Sequence, residues 1–198
     1  LEGLIQKKVR YGTRNFRKEP AMTEEETIKA VFAGIEVAEI CKSKGYQLLA
    51  TGEMGIGNTT TSTAVAAALL GCDAEEITGR GAGLDDKGLK IKKRVINEAI
   101  ARYGLKQADA MTVLMTVGGL DIAGLVGVCI GGALFHLPVV LDGVISLTAA
   151  LLAERLLPGT KSCFIASHKG KEQACAKLIE ELDLHPVIET KVDRKSVV

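Results

Sequence analysis

Aromatic rings are scarce in this chain of 198 residues: four Phe, three Tyr and no Trp. So few rings leave little for stacking on unpaired bases. An excess of either charge is also missing, since 25 Lys and Arg stand against 24 Asp and Glu, a net charge of +1. Binding a duplex through bulk phosphate attraction needs a cationic surplus, so nucleic acid is not expected as a partner. The five cysteines (Cys41, Cys72, Cys129, Cys163 and Cys175) show no CxxC spacing. A zinc site needs better gathered ligands, and neither metal nor cofactor is expected. Their odd number and apolar neighbours predict reduced, mostly buried thiols in a cytoplasmic protein. No signal peptide opens the chain. Charge is absent from Ile122 to Leu141, a run of twenty residues broken by Pro138. Its helical part, about fifteen residues, is short of the roughly 20 that a membrane span needs. A buried helix followed by a strand is predicted, with Gly127 and Gly131 permitting close packing, and membrane contact is not expected.

What is present centres on Gly52-Glu53-Met54-Gly55-Ile56-Gly57-Asn58-Thr59-Thr60-Thr61. The apolar run YQLLAT before it (46–51) is of strand length, and STAVAAALL after it (62–70) is a small-residue helix. Strand, glycine-rich turn and helix start shape a backbone to hold an anion: glycines let N–H groups approach a ligand, and the helix start adds unpaired donors and the positive end of the dipole. Thr59, Thr60 and Thr61 are candidate caps. Glu53 repels phosphate and so suits a sugar hydroxyl or a developing cation. The competing reading is a tight corner with no ligand. The segment is not a Walker loop, lacking Lys-Ser or Lys-Thr, and its GxxGxG spacing departs from the dinucleotide fingerprint.

Along the chain, residues 1–22 read as a basic connecting arm, solvated rather than a binding patch. Thr23-Glu24-Glu25-Glu26 is a capping box for a helix whose stripe is Ile28, Val31, Phe32, Ile35 and Ala38, stopped by Gly45. Residues 71–86 are predicted as a loop ending in GRGAGLDD, a second glycine-rich, potentially anion-facing segment. Asp85 or Asp86 caps the next helix, 87–103, with its stripe at Leu89, Ile96, Ala99, Ile100 and Tyr103; Lys90, Lys92, Lys93 and Arg94 form its wet face, and spacing selects none of them as a ligand. A short helix at 108–116, the buried helix from Ile122, a strand at 138–141, a helix at 146–157, a strand at 162–166, a helix to about Leu182 with stripe Cys175, Leu178, Ile179 and Leu182, and a last strand from Pro186 complete the pattern. Strand-helix alternation with near-continuous apolar strands predicts an α/β, Rossmann-like three-layer fold with a mostly parallel sheet covered by helices on both faces. The core spans 23–190, with a polar tail at 191–198. Gly52 to Thr61, Asp142-Gly143 and Ser167 to Gly170 all follow strands, and loops at that edge of an open sheet bind ligands. His168 falls among them, either in the site or exposed to water.

GEMGIGNTTT, TGRGAGLDD, VGGLDIAGLVG, PVVLDGVIS and IASHKG occur in this order, with YGTRNF and EPAMT before them. Together they resemble the nicotinate-nucleotide–dimethylbenzimidazole phosphoribosyltransferase family of cobalamin assembly, from about Tyr11 to about Glu189. The resemblance implies a homodimer and a magnesium-independent transfer. Nicotinate mononucleotide and a benzimidazole-type base would be the substrates, and α-ribazole phosphate and nicotinate the products. It also implies that Glu53, Gly55 and Gly57 lie at the ribose and phosphate, that Lys92 contacts the phosphate, that Asp142 and Gly143 border the ribosyl pocket, and that Ser167 donates to the phosphate with His168 beside it. Two departures stand out. The family's upstream region, which supplies much of its base pocket, has no counterpart among these 198 residues. Its catalytic glutamate lies in a GEG-type segment where this chain reads TKVDRKSVV (190–198), so neither Glu189 nor Asp193 is aligned to that role and no catalytic base is named. The alternative to a transferase is a truncated relative that only holds a phosphoribosyl ligand or acts as an assembly partner; a third reading has another chain supply the missing carboxylate across an interface.

Overall fold

The computed structural model describes residues 4–81, 83–170 and 172–188; the polar tail, Glu189 and Asp193 lie outside them. Its first helix begins at the capping box. Thr23 accepts the N–H of Glu26 through its hydroxyl, and the Glu26 carboxylate returns to the N–H of Thr23, satisfying two otherwise orphaned donors. Helix α1 (Glu24–Ser43) follows and Gly45, at φ 82°, turns the chain away. Residues 4–22 have no regular structure but are not detached. Ala21 and Met22 are buried, and their N–H groups donate to Thr116 O and Met115 O. Arg10 and Arg14 both reach Glu26, and Lys7 reaches Glu36. The arm is therefore tied along α1, although most of its residues from 4 to 20 are exposed.

Strand β1 (Leu49–Ala50) is shorter than the run 46–51 predicts. Pairing starts only where Leu49 N–H meets Pro138 O; Pro138 has no N–H to offer further back, and Tyr46 and Leu48 stay exposed. Helices α2 (Thr59–Leu70), α3 (Ala74–Ile77), α4 (Asp86–Tyr103), α5 (Ala110–Val117) and α6 (Leu120–Leu134) come before β2 (Val139–Leu141). Then come α7 (Gly143–Leu156), β3 (Phe164–Ala166) and α8 (Gln173–Glu181). Short α3 interrupts the predicted loop 71–86; its signal was a second capping box, Asp73 with Glu76. Asp85 caps α4 by accepting Gly88 N–H. The three strands form one parallel sheet in the order β1-β2-β3, with Leu49 opposite Val139 and Leu141 opposite Ala166. Where the last strand is predicted from Pro186, the described residues show one parallel bridge, Ile188 to His168. With its helices this is the α/β architecture the alternation implied.

One helix pair departs from its apolar stripe. In α1 the buried residues are Thr27, Ala30, Val31, Gly34 and Ala38, while Ile28 and Phe32 are 37% and 58% exposed. The cause is α6, which crosses α1 backbone to backbone. A Cβ on Gly127 would stand 1.9 Å from Val31 O, one on Gly34 would stand 2.0 Å from Gly124 O, and one on Gly131 would stand 2.5 Å from the Ala38 Cβ. Only residues with little or no side chain allow helices to approach so far. The uncharged run 122–141 is thus α6, a turn and β2, and among the described residues no helix is long and apolar enough to cross a membrane. The rest of the core gathers Val65 of α2, Ile96 of α4, Leu114 of α5, Leu147 and Leu151 of α7 and Leu178 of α8; the α8 stripe Cys175, Leu178, Ile179 and Leu182 is buried as predicted. Of the cysteines only Cys129 and Cys175 are fully buried; Cys41, Cys72 and Cys163 are partly exposed, and none of the five is in a disulfide.

Candidate functional site

Because all three strands are parallel, their carboxyl ends share one edge, the place where open α/β sheets take ligands. The turn after β1 leaves that edge with Gly55 and Gly57 at φ 69° and 75°, a left-handed conformation that favours glycine. This fold-back brings Gly55 N–H onto Glu53 Oε2 in a short hydrogen bond. Asn58 Nδ2 donates to the same oxygen at 2.7 Å and to Asp121 Oδ2, in the first turn of α6, at 2.9 Å. The threonines do not cap α2 as predicted. Asn58 is the N-cap and makes no side-chain cap bond; Thr61 and Thr63 instead donate their hydroxyls back to Asn58 O and Thr59 O.

Thr59, the next residue, makes a different contact. Lys92 of α4, expected on a wet face, is only 6% exposed. Its Nζ donates to Thr59 Oγ1 at 3.2 Å and Gly79 O at 3.3 Å, and among the described residues it forms no ion pair. Burial holds its pKa below the ordinary lysine value, with Glu172 opposing that shift. A partly desolvated ammonium with only neutral acceptors is a place for an anion. The second glycine segment meets the first here: a Cβ on Gly81 would stand 2.8 Å from Thr59 Oγ1.

The ends of β2 and β3 build a third group. Ser167 donates its hydroxyl to Leu141 O at 2.7 Å, and His168 Nδ1 lies 2.9 Å from Ser167 Oγ. With the hydroxyl proton committed, Nδ1 must carry the proton of that contact, which leaves Nε2 as the acceptor. Asp142 Oδ1 is 3.9 Å from Nδ1. Ser167 would have to turn its hydroxyl to donate to a phosphate. His168 is partly exposed, its side chain retaining 25% of its accessible surface.

Of the residues expected from the sequence, Glu53 and Gly57 line a groove of about 740 Å³ together with Asn58 and Asp121. Its other walls are the arm from Lys7 to Thr13 and the small residues Ala30, Gly34 and Gly124 of the helix crossing. Gly55 supports Glu53 from within the turn, while Lys92 reaches Thr59 at the start of α2 and does not line the groove. Asp142, Gly143, Ser167 and His168 share the sheet edge but do not line the groove. Asn58 and Asp121 went unassigned, and Thr59 was expected only as a cap. Asn58 and Thr59 sat inside the glycine-rich stretch, and Asp121 inside VGGLDIAGLVG, but no spacing rule joins residues so far apart. Among the described residues no three His, Cys, Asp or Glu side chains are grouped to hold a metal.

An acidic pair and a buried lysine thus meet neighbouring residues at the start of α2, after the glycine-rich turn of an α/β protein. Comparison narrows this class. The phosphoribosyltransferase family model matches residues 1–194. The nicotinate-nucleotide–dimethylbenzimidazole phosphoribosyltransferase of Clostridium perfringens is 44% identical over 189 residues, covering 96% of this chain and 52% of the relative. Its namesake in Clostridium acetobutylicum is 45% identical over 191 residues, covering 96% and 54%. The crystal structure of CobT from Thermus thermophilus superposes with a TM-score of 0.91 at 38% identity, covering 96% of this chain and 57% of that one. The chain belongs to the nicotinate-nucleotide–dimethylbenzimidazole phosphoribosyltransferase family, and it spans about half the length of the curated relatives it matches.

Proposed function

We propose that this chain holds the phosphoribosyl group of nicotinate mononucleotide and transfers it to 5,6-dimethylbenzimidazole or a related base, releasing nicotinate and giving α-ribazole 5′-phosphate for cobalamin assembly. The start of α2 carries the proposal. There, neighbouring residues serve opposite needs: Asn58 joins Glu53 to Asp121, and Thr59 meets Lys92. A phosphoribosyl group has the same two ends, an anionic phosphate and a sugar rich in hydroxyl donors. Lys92 takes the phosphate, with the backbone of Gly55, Gly57, Gly79 and Gly81 close by. Glu53 takes the ribose. Asp142 and Gly143 border the sugar from β2, and Ser167 and His168 border the phosphate from β3.

In the reaction, the C1′–N bond breaks and its electron pair returns to the pyridine nitrogen of nicotinate. A ring nitrogen of the incoming base forms the new bond to C1′ and its ring N–H proton passes to a general base. Positive charge develops on the sugar between these events, and a fixed carboxylate such as Glu53 favours it. Residues 23–190 act as one core. The names of the relatives favour transfer over a binding-only role. Five cysteines outside any disulfide fit a cytoplasmic setting, and the exposed Ile28 and Phe32, one turn apart on α1, fit a homodimer face.

The test is calorimetric titration with nicotinate mononucleotide, followed by addition of dimethylbenzimidazole and chromatography for nicotinate. Binding followed by nicotinate release supports the transfer. Binding without release supports only the holding of the phosphoribosyl group, and no binding contradicts both.

A further inference from the structure

The side chain of Asn58 is placed at the expense of its own oxygen. Its two amide protons go to Glu53 Oε2 and Asp121 Oδ2. Two carboxylate acceptors decide which end is nitrogen, because a flipped amide would set its oxygen against both. Oδ1 is then buried without a partner among the described residues, in a side chain whose residue is 5% exposed. An unpartnered buried acceptor costs stability, so its presence calls for another reason. Nor does Asn58 serve its helix. An N-cap asparagine ordinarily accepts an N–H of the first turn through Oδ1, and here it does not. The amide is turned away from α2 and toward the groove's acidic pair.

The neighbouring backbone keeps that pair in place. Gly119, just before α6, has room only for hydrogen: a Cβ there would stand 2.6 Å from Asp121 Oδ1. Gly55 N–H holds Glu53 from the other side. Each carboxylate keeps one oxygen, Glu53 Oε1 and Asp121 Oδ1, for which the described residues supply no hydrogen bond. Two carboxylates brought together repel unless donors lie between them. Asn58 supplies those donors, and a ligand with two adjacent hydroxyls completes the set through charge-assisted hydrogen bonds.

We propose that Asn58 is a positioning residue for a vicinal-diol site, holding Glu53 and Asp121 side by side so that their remaining oxygens accept the 2′- and 3′-hydroxyls of a ribosyl ligand. This rests on the phosphoribosyl reading and adds Asp121 and Asn58 to it. The experiment compares nicotinate mononucleotide, its 2′-deoxy analogue and inorganic phosphate by calorimetry on the unmodified chain, on Asn58→Leu and on Asp121→Asn. The unmodified chain is expected to prefer the ribo form by about tenfold or more, the usual weight of a hydrogen bond to a charged group. Asn58→Leu, which removes the donors between the two carboxylates, is expected to bind phosphate unchanged and to lose most of that preference. Asp121→Asn, at an exposed position, decides the matter should Asn58→Leu not fold, and is expected to lose the preference too. A ligand-free measurement separates the two proposals: the Asn58 side-chain amide resonances should shift on Asp121→Asn and on Glu53→Gln. Silent amide resonances, or a ribo preference that survives in both Asn58→Leu and Asp121→Asn, overturn this inference alone. An unmodified chain that binds neither nucleotide overturns the phosphoribosyl reading together with it.

Discussion

Gly127 and Val31 stand so close that a single added carbon on the first would lie 1.9 Å from the carbonyl oxygen of the second. This contact locks α1 to α6, and the groove's small-residue wall, Ala30, Gly34 and Gly124, lies along the same crossing. Gly127→Ala must push the helices apart. The expected cost is about 3 kcal/mol, the upper end of ordinary overpacking, read by denaturant unfolding. Gly124→Ala is the internal comparison. Its nearest neighbour would be Ala30 O at 4.0 Å, and alanine is the better helix former by about 0.5–1 kcal/mol, so that variant is expected to be as stable or more stable. Equal effects at the two positions would contradict the backbone-to-backbone crossing.

This crossing also marks where sequence patterning stops being informative. The capping residues Thr23 and Asp85, the stop at Gly45 and the strand-helix alternation were legible, since each depends on residues within a few positions. The face of α1 was not. Spacing put Ile28 and Phe32 inward because large apolar residues usually fill cores, but α6 presents backbone rather than side chains, and backbone leaves room only for Ala30, Gly34 and Ala38. The site divides in the same way. Glu53, Gly55 and Gly57 announced themselves through a local turn. Lys92 looked like its lysine neighbours until the resemblance singled it out. Asp121 depends on Asn58, and nothing along the chain pairs residues that far apart.

Lys92 is expected to trade stability for binding. Lys92→Met removes a buried cation that forms no described ion pair, and such replacements are often neutral or stabilising. The pH dependence has a definite sign. With its pKa lowered in the folded chain from the ordinary 10.5, Lys92 leaves the unfolded state holding more protons between the two values, so stability rises with pH across that window. Relative to Lys92→Met, the unmodified chain should therefore gain stability as pH climbs toward 10.5. A gap that widens against the unmodified chain over that range would show that the lysine is not desolvated.

Glu26 ties the arm to α1 and, through it, one wall of the groove. Hydrogen bonding from Arg14, the N–H of Thr23 and Arg10 brings its pKa down to about 2. A depressed carboxylate contributes stability above its unfolded value and loses it as pH falls through the folded one, so the loss should run from about pH 4.5 down to about 2. Glu26→Gln is expected to flatten that part of the acid titration and to make bonds before Thr23 cleavable at lower protease concentration. An unchanged acid limb would mean that the Arg14 contact does not form in solution.

Two contacts at neighbouring residues make the central claim: Lys92 for the phosphate and Glu53 for the sugar. The most direct measurement is a calorimetric cycle using nicotinate mononucleotide and nicotinate riboside, which lacks the phosphate, on the unmodified chain, Lys92→Ala and Glu53→Ala. Removing the phosphate should weaken binding by roughly tenfold or more, the weight of a charge-assisted hydrogen bond. Lys92→Ala should bind both ligands alike, while Glu53→Ala should weaken both and keep their ratio. A Lys92→Ala chain that still favours the phosphorylated ligand as strongly as the unmodified chain would contradict the assignment of the buried lysine to the phosphate, and with it the account of how this turn holds a phosphoribosyl group.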